Sequence, residues 1–207
     1  HLVIRRQRQM CIRDSLEPTY FPPISHWKHI SSTNLQWSIN SRYNKQTLTN
    51  RTYIDSSNGE LMLTVPIKHS GKNVPRKFTE IKIDNSSNWK KTHFKSIKIC
   101  YQSSPFFEFY EDDISFFYES DYEYLHQLNF ASINLVCKWI NLEMPKENFN
   151  AQEKEFINLF YLSNTKRTRE LLEKKYTQTF QVSNGFINDL SILDLIFNCG
   201  PDSKNYF

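Results

Sequence analysis

Cysteine and glycine are scarce in this chain, long apolar runs are missing, and each absence removes a class of function. Four cysteines stand in 207 residues, at Cys11, Cys100, Cys137 and Cys199. They lie too far apart for a CxxC metal pattern or a disulfide framework, so a reducing cytoplasmic setting is expected. The four glycines form no GxxxxGK phosphate loop. The glycine and lysines of residues 69–77 therefore read as a solvent loop, the stretch expected to move most. No apolar run approaches the roughly 18–20 residues that cross a bilayer.

Excess charge is lacking too, once the first fifteen residues are set aside. The whole chain carries 26 Lys and Arg against 22 Asp and Glu, a net +4. Residues 1–15, HLVIRRQRQMCIRDS, hold four of those arginines and one aspartate. The run from Arg5 to Asp14 back-translates codon for codon into a transposase-adapter oligonucleotide, with Ser15 at the junction. It is read as non-native and excluded from the fold. The remaining 22 cationic and 21 acidic residues give no phosphate-tracking footprint, so no nucleic-acid partner is expected.

What is present predicts one α+β domain over residues 16–207. A small mixed or antiparallel sheet from the N-terminal half should pack against a mainly helical C-terminal half. Leu16–Phe21 reads as the end of a strand whose start is lost, closed by Pro22 and Pro23. A short helix over Ile24–Ile30 follows. Strands are expected at Leu35–Ile39, Leu61–Ile67 and Phe78–Ile83, with a hairpin turn at Asn58-Gly59. Helices are expected from Trp89 to Tyr101, through the acidic and aromatic stretch Glu108–Tyr124, and from Asp121 to Leu142. Asn148–Leu162 reads as either helix or strand, and Asn164–Lys175 as an exposed stretch. Tyr176–Val182 has strand composition, and a short apolar helix precedes Gly200-Pro201. His26 and His29 have metal-ligand spacing but no nearby third ligand, so they read as packing or surface residues. No metal or cofactor is expected.

The most chemically suggestive pattern is the four-residue repeat Trp89, His93, Ile97 and Tyr101, which places one histidine in an aromatic and aliphatic helical stripe. Asp84, Ser86 or Ser87 is expected to cap this helix. Within the apolar helix near the C-terminus, Asp194 is a candidate buried carboxylate. Structural hydrogen bonding is its first reading and catalysis its second.

These pieces add up to a resemblance. PTYFPP at 18–23, KQTxxNR at 45–51, LTVPI at 63–67, WxxxHxxSI at 89–97, YxxSPFFEFY at 101–110 and LSILDLIFNCGP at 190–201 together resemble the WbqC-like family, in family order, with the carboxyl-terminal motif similar to its bacteroidete branch. The family often carries glutamine before the first proline, where this chain has Glu17. Some members belong to O-antigen and other surface-polysaccharide clusters, and glycine transfer to a sugar is suggested for one branch. The resemblance thus implies a bacterial aminoacyl or acyl transferase acting on a nucleotide-linked or lipid-linked sugar. The alternative is a non-catalytic sugar- or protein-binding factor in such a pathway. For transfer, His93 is the candidate general base, since its ordinary pKa lies near neutrality. Arg51 with Lys45 would clamp a phosphate or carboxylate. Tyr20, Gln46, Asn50 and Tyr101 complete the expected substrate-binding set. No nucleophile motif is present, so transfer is expected to be direct.

Overall fold

Strand β1 (Arg13–Leu16) is the centre of a parallel sheet, flanked by β2 (Leu35–Trp37) and β5 (Phe156–Asn158). The computed structural model describes residues 13–69, 75–145, 156–166 and 171–207. Ser15 lies opposite Gln36 on one side and Asn158 on the other. Arg13, Asp14 and Ser15, excluded from the fold on sequence grounds, therefore join the ladder. Main-chain groups make those bonds, so pairing constrains side-chain identity only weakly. Leu16, the next residue, is fully buried. A separate antiparallel hairpin joins β3 (Arg51–Ser56) to β4 (Gly59–Thr64). Gly59 sits at φ 92° at its turn, a conformation open to glycine without steric cost.

Helix α1 spans Ile24–Ile30, as expected, and α2 spans Trp89–Tyr101. Trp89, His93, Ile97 and Tyr101 are all buried. The side chain of Asn88 starts α2 without capping it, while Asp84 accepts from the Ser86 amide and so closes a local turn instead of the expected cap. Helix α3 covers Phe107–Glu119 and α4 covers Leu125–Trp139. The acids of α3 meet water or neighbouring cations: Lys98 pairs with Glu111 and Lys138 with Asp113. After a one-turn helix, α5 (Gln181–Asn184), comes α6 (Ile192–Cys199), most of whose residues are buried, and then a 3-10 helix over Gly200–Tyr206.

Two expected strands are not strands. Phe78–Glu80 is a 3-10 turn, fixed by the Glu80 carboxylate accepting from the Lys77 amide; beyond it only single bridges form, Ile67 to Ile83 and Lys82 to Tyr124. Tyr176–Val182 is irregular and then helical, because Tyr176 and Gln178 turn inward to hydrogen-bond Asp194. β4 also stops at Thr64, ahead of Pro66, which has no N–H for a ladder. Parts of the 69–77 loop, of Asn148–Leu162 and of Asn164–Lys175 lie outside the described residues; of the second, Phe156–Asn158 is the strand β5.

The two ends of the fold clamp together. Ile24 N–H donates to the Leu190 carbonyl, Ile192 N–H donates to that of Pro22, and the Asp189 carboxylate accepts from the Ser25 amide and hydroxyl at the start of α1. Between them Phe21 adopts φ 39°, the left-handed region that strains a bulky residue by roughly 1–2 kcal/mol. Its amide donates to Ser132 Oγ, and its carbonyl accepts from Thr52 and Ser191 hydroxyls. Three elements thus hold one strained turn, and that turn aims Tyr20 inward.

Candidate functional site

Tyr20, His93 and Tyr118 come from the PTYFPP turn, α2 and α3, and they form one hydrogen-bonded chain. The Tyr20 hydroxyl lies 3.1 Å from His93 Nδ1 and 2.5 Å from the Tyr118 hydroxyl. Tyr20 is completely buried and His93 is 4% exposed. Trp89 and Tyr118 stand edge-on to the imidazole. Burial pushes the His93 pKa down to about 4, and a hydrogen bond to the Thr64 backbone offsets this only in part. The ring is therefore neutral at neutral pH. Burial likewise raises both tyrosines above their ordinary range, so the chain carries no net charge.

One end of this chain reaches a surface cleft. A concavity of ≈ 540 Å³ lies between the first turn of α2 and the second half of α3. Its walls include Asn85, Trp89, Lys91, Phe94, Ser115 and Tyr118. Tyr118 thus borders the cleft with its ring while its hydroxyl points to Tyr20. The two hydroxyls, each able to donate and accept, can pass a proton to the buried imidazole once the Tyr118 hydroxyl, which faces Tyr20, turns toward the cleft.

Thr64 links this chain to a second polar cluster. Its partner across the hairpin is Arg51, and Asn50 Nδ2 donates to the adjacent Val65 carbonyl. The KQTxxNR and LTVPI motifs therefore meet beside His93. Glu17 is 2% exposed and accepts a hydrogen bond of 2.5 Å from Ser41 Oγ. Burial raises its pKa to about 7, and the Ser41 bond lowers it less than burial raises it. Tyr43 sits near Glu17, Arg51 and Arg76 and hydrogen-bonds Thr49. Asn129 in α4 donates to the Pro18 and Thr49 carbonyls, tying cluster and turn together. Asn50 Oδ1, Arg51 Nε and Asn129 Oδ1 are buried without a hydrogen-bond partner among the described residues.

The other expected site residues lie elsewhere. Lys45 and Gln46 are exposed on the turn before Thr47, where the Gln46 carbonyl accepts from Thr165. Tyr101 shares α2 with His93 but faces another centre. Its hydroxyl donates to Asp194 Oδ1 and accepts from the Asp55 amide. Tyr176 and the Gln178 amide donate to Asp194 Oδ2. Burial raises the Asp194 pKa to about 6, opposed by these donors. His26 hydrogen-bonds Thr19 and the Leu162 carbonyl, and His29 pairs with Asp14.

Tyr118 and Ser41 do not stand out in the sequence. Tyr118 is one aromatic among many in an acidic stretch, and Ser41 lies in a turn without a motif. Asn129 carried a usable signal: an amide on the apolar face of α4, the same anomaly that marks Asp194 in α6.

Family comparison agrees with the motifs. The sequence model of the WbqC-like protein family matches residues 17–156, more than half of the chain. The chain belongs to that family. Among curated proteins it is similar to Uncharacterized protein Rv1507c of Mycobacterium tuberculosis (strain ATCC 25618 / H37Rv), at 24% identity over 194 residues, covering 80% of this chain and 83% of the relative. No solved structure matches. The family match contains the His93 chain and the Glu17 cluster and ends before Asp194. No helix among the described residues is long and apolar enough to cross a membrane.

Proposed function

We propose that this chain is an aminoacyl or acyl transferase that acts in the bacterial cytoplasm on a nucleotide-linked or lipid-linked sugar for surface-polysaccharide assembly. The observation that carries this reading is the hydrogen-bonded chain from the cleft wall at Tyr118 through Tyr20 to a neutral imidazole. The acceptor's attacking amine or hydroxyl must lose a proton as the acyl carbon is attacked, and His93 takes it through the Tyr20 hydroxyl and that of Tyr118, which turns toward the cleft to receive it. As the tetrahedral intermediate collapses, the proton returns by the same path to the leaving group. Arg51 is the candidate clamp for a substrate phosphate or carboxylate.

A second reading is a non-catalytic sugar-binding factor, favoured by the near-complete burial of His93. One experiment separates them. The native protein, His93→Ala and Tyr20→Phe are incubated with a panel of nucleotide sugars and activated amino acids, and product masses are followed. Transfer should appear with the native protein and fall about 100-fold or more in His93→Ala. Equal product from the native protein and His93→Ala defeats the catalytic role. Absence of product in every mixture, with a sugar still bound in calorimetry, establishes the binding reading instead.

A further inference from the structure

Helices α2 and α3 pack side by side, and the Lys98–Glu111 and Lys90–Asp121 ion pairs set an antiparallel register. Their solvent-facing arcs are opposite in charge and alike in apolar content. On α2, Lys91, Lys95 and Ile99 fall within about 80° of arc at 100° per residue. On α3, Glu108, Asp112, Phe116 and Phe109 fall within about 100°. Ile99 is 59% exposed, Phe109 78% and Phe116 72%, and all three lie on these arcs. Lys91, Lys95, Glu108 and Asp112 are exposed and have no ion pair among the described residues.

We propose that this two-helix face docks a second copy of the chain about a two-fold axis running along the α2/α3 seam. Rotation about that axis lays α2 of each copy antiparallel over α3 of the other and preserves position along the seam. Lys91 of each copy then faces Glu119 of its mate, and Lys95 lies within about one turn of Asp112. Lys95 lies at the level of Phe116, and Ile99 at the level of Phe109. A single face that carries its own complement is the requirement for an isologous dimer. The Tyr118 clefts open on this face at matching levels, so the two open into a common space.

Thirteen-residue helices are about 20 Å long and about 10 Å across, so the contact covers roughly 400 Å² per copy. Such an area lies below the usual range for a stable dimer, and charge pairing therefore governs its strength.

Sedimentation of the full chain over about 1–500 µM should show concentration-dependent dimerisation, weakened by added salt. Lys95→Glu and Asp112→Lys should each weaken it about tenfold, and the double variant should return to within about threefold of the native value. Both positions are exposed, and circular dichroism checks that each variant folds. A monomer throughout that range overturns the proposal. So does a dimer that neither single reversal weakens, or a double variant no tighter than the singles.

Discussion

At the residue scale, two buried titratable groups pull stability in opposite directions across the same pH window. Glu17 has a folded pKa of about 7, above its unfolded value of 4.5. Its contribution is fully present below 4.5 and is lost as pH rises through 7. Glu17→Gln should therefore change little at pH 5 and stabilise the protein at pH 8 by about 1–3 kcal/mol, read by urea unfolding at the two pH values. Equal effects at both would show that Glu17 is not protonated in the native state. His93 has the reverse sign. Its folded pKa of about 4 lies below the unfolded 6.5, so stability is present above 6.5 and lost as pH falls through 4.

At the scale of elements, the C-terminal helix depends on Asp194, whose carboxylate collects Tyr101, Tyr176 and Gln178. Asp194→Ala leaves the buried Tyr101 and Tyr176 hydroxyls without an acceptor, while Gln178 keeps the Ile187 carbonyl; it should cost at least about 2 kcal/mol, whereas Asp194→Asn keeps an acceptor and should cost less than half as much. Equal losses would mean that volume, not hydrogen bonding, holds α6. Gly200 ends that helix at φ 56°, and a Cβ there would meet the Phe106 ring at 2.5 Å. Gly200→Ala should lower stability by about 1–3 kcal/mol in the same assay. A neutral result would show that the Phe106 ring moves aside freely.

The elements legible in the sequence are those with a strong period. Trp89, His93, Ile97 and Tyr101 repeat every four residues, and all four are buried on α2. Alternation misled at Phe78–Ile83, because a local side-chain bond from Glu80 closes the chain into a turn before a ladder can form. It misled again at Tyr176–Val182, where long-range bonds to Asp194 override strand composition. At the site, His93 is visible as an oddity in an apolar stripe. Its hydrogen bond to Tyr20, and through it to Tyr118, joins residues far apart in the chain and leaves no local trace. Phe21 is similar: nothing in a phenylalanine before two prolines announces a left-handed turn.

At the scale of the whole molecule, the chain is held by contacts between its ends. The PTYFPP turn rests on Ser191 and Leu190 on one side and on α4 through Asn129 and Ser132 on the other. That support aims Tyr20 at His93, so the site's geometry depends on segments on both sides of the 156 boundary of the family match. Loss of the Asn129 amide in Asn129→Leu should therefore weaken any transfer together with stability, while the conservative Asn129→Gln should recover part of both. The central claim is that His93 is a neutral imidazole held by the Tyr20 hydroxyl, and nitrogen-15 NMR of labelled histidine tests it most directly. The native protein should show one neutral tautomer of His93 at pH 6, with protonation setting in near pH 4, and Tyr20→Phe should move the Nδ1 resonance. A His93 ring that titrates at its ordinary value of 6.5 and ignores Tyr20→Phe would contradict it.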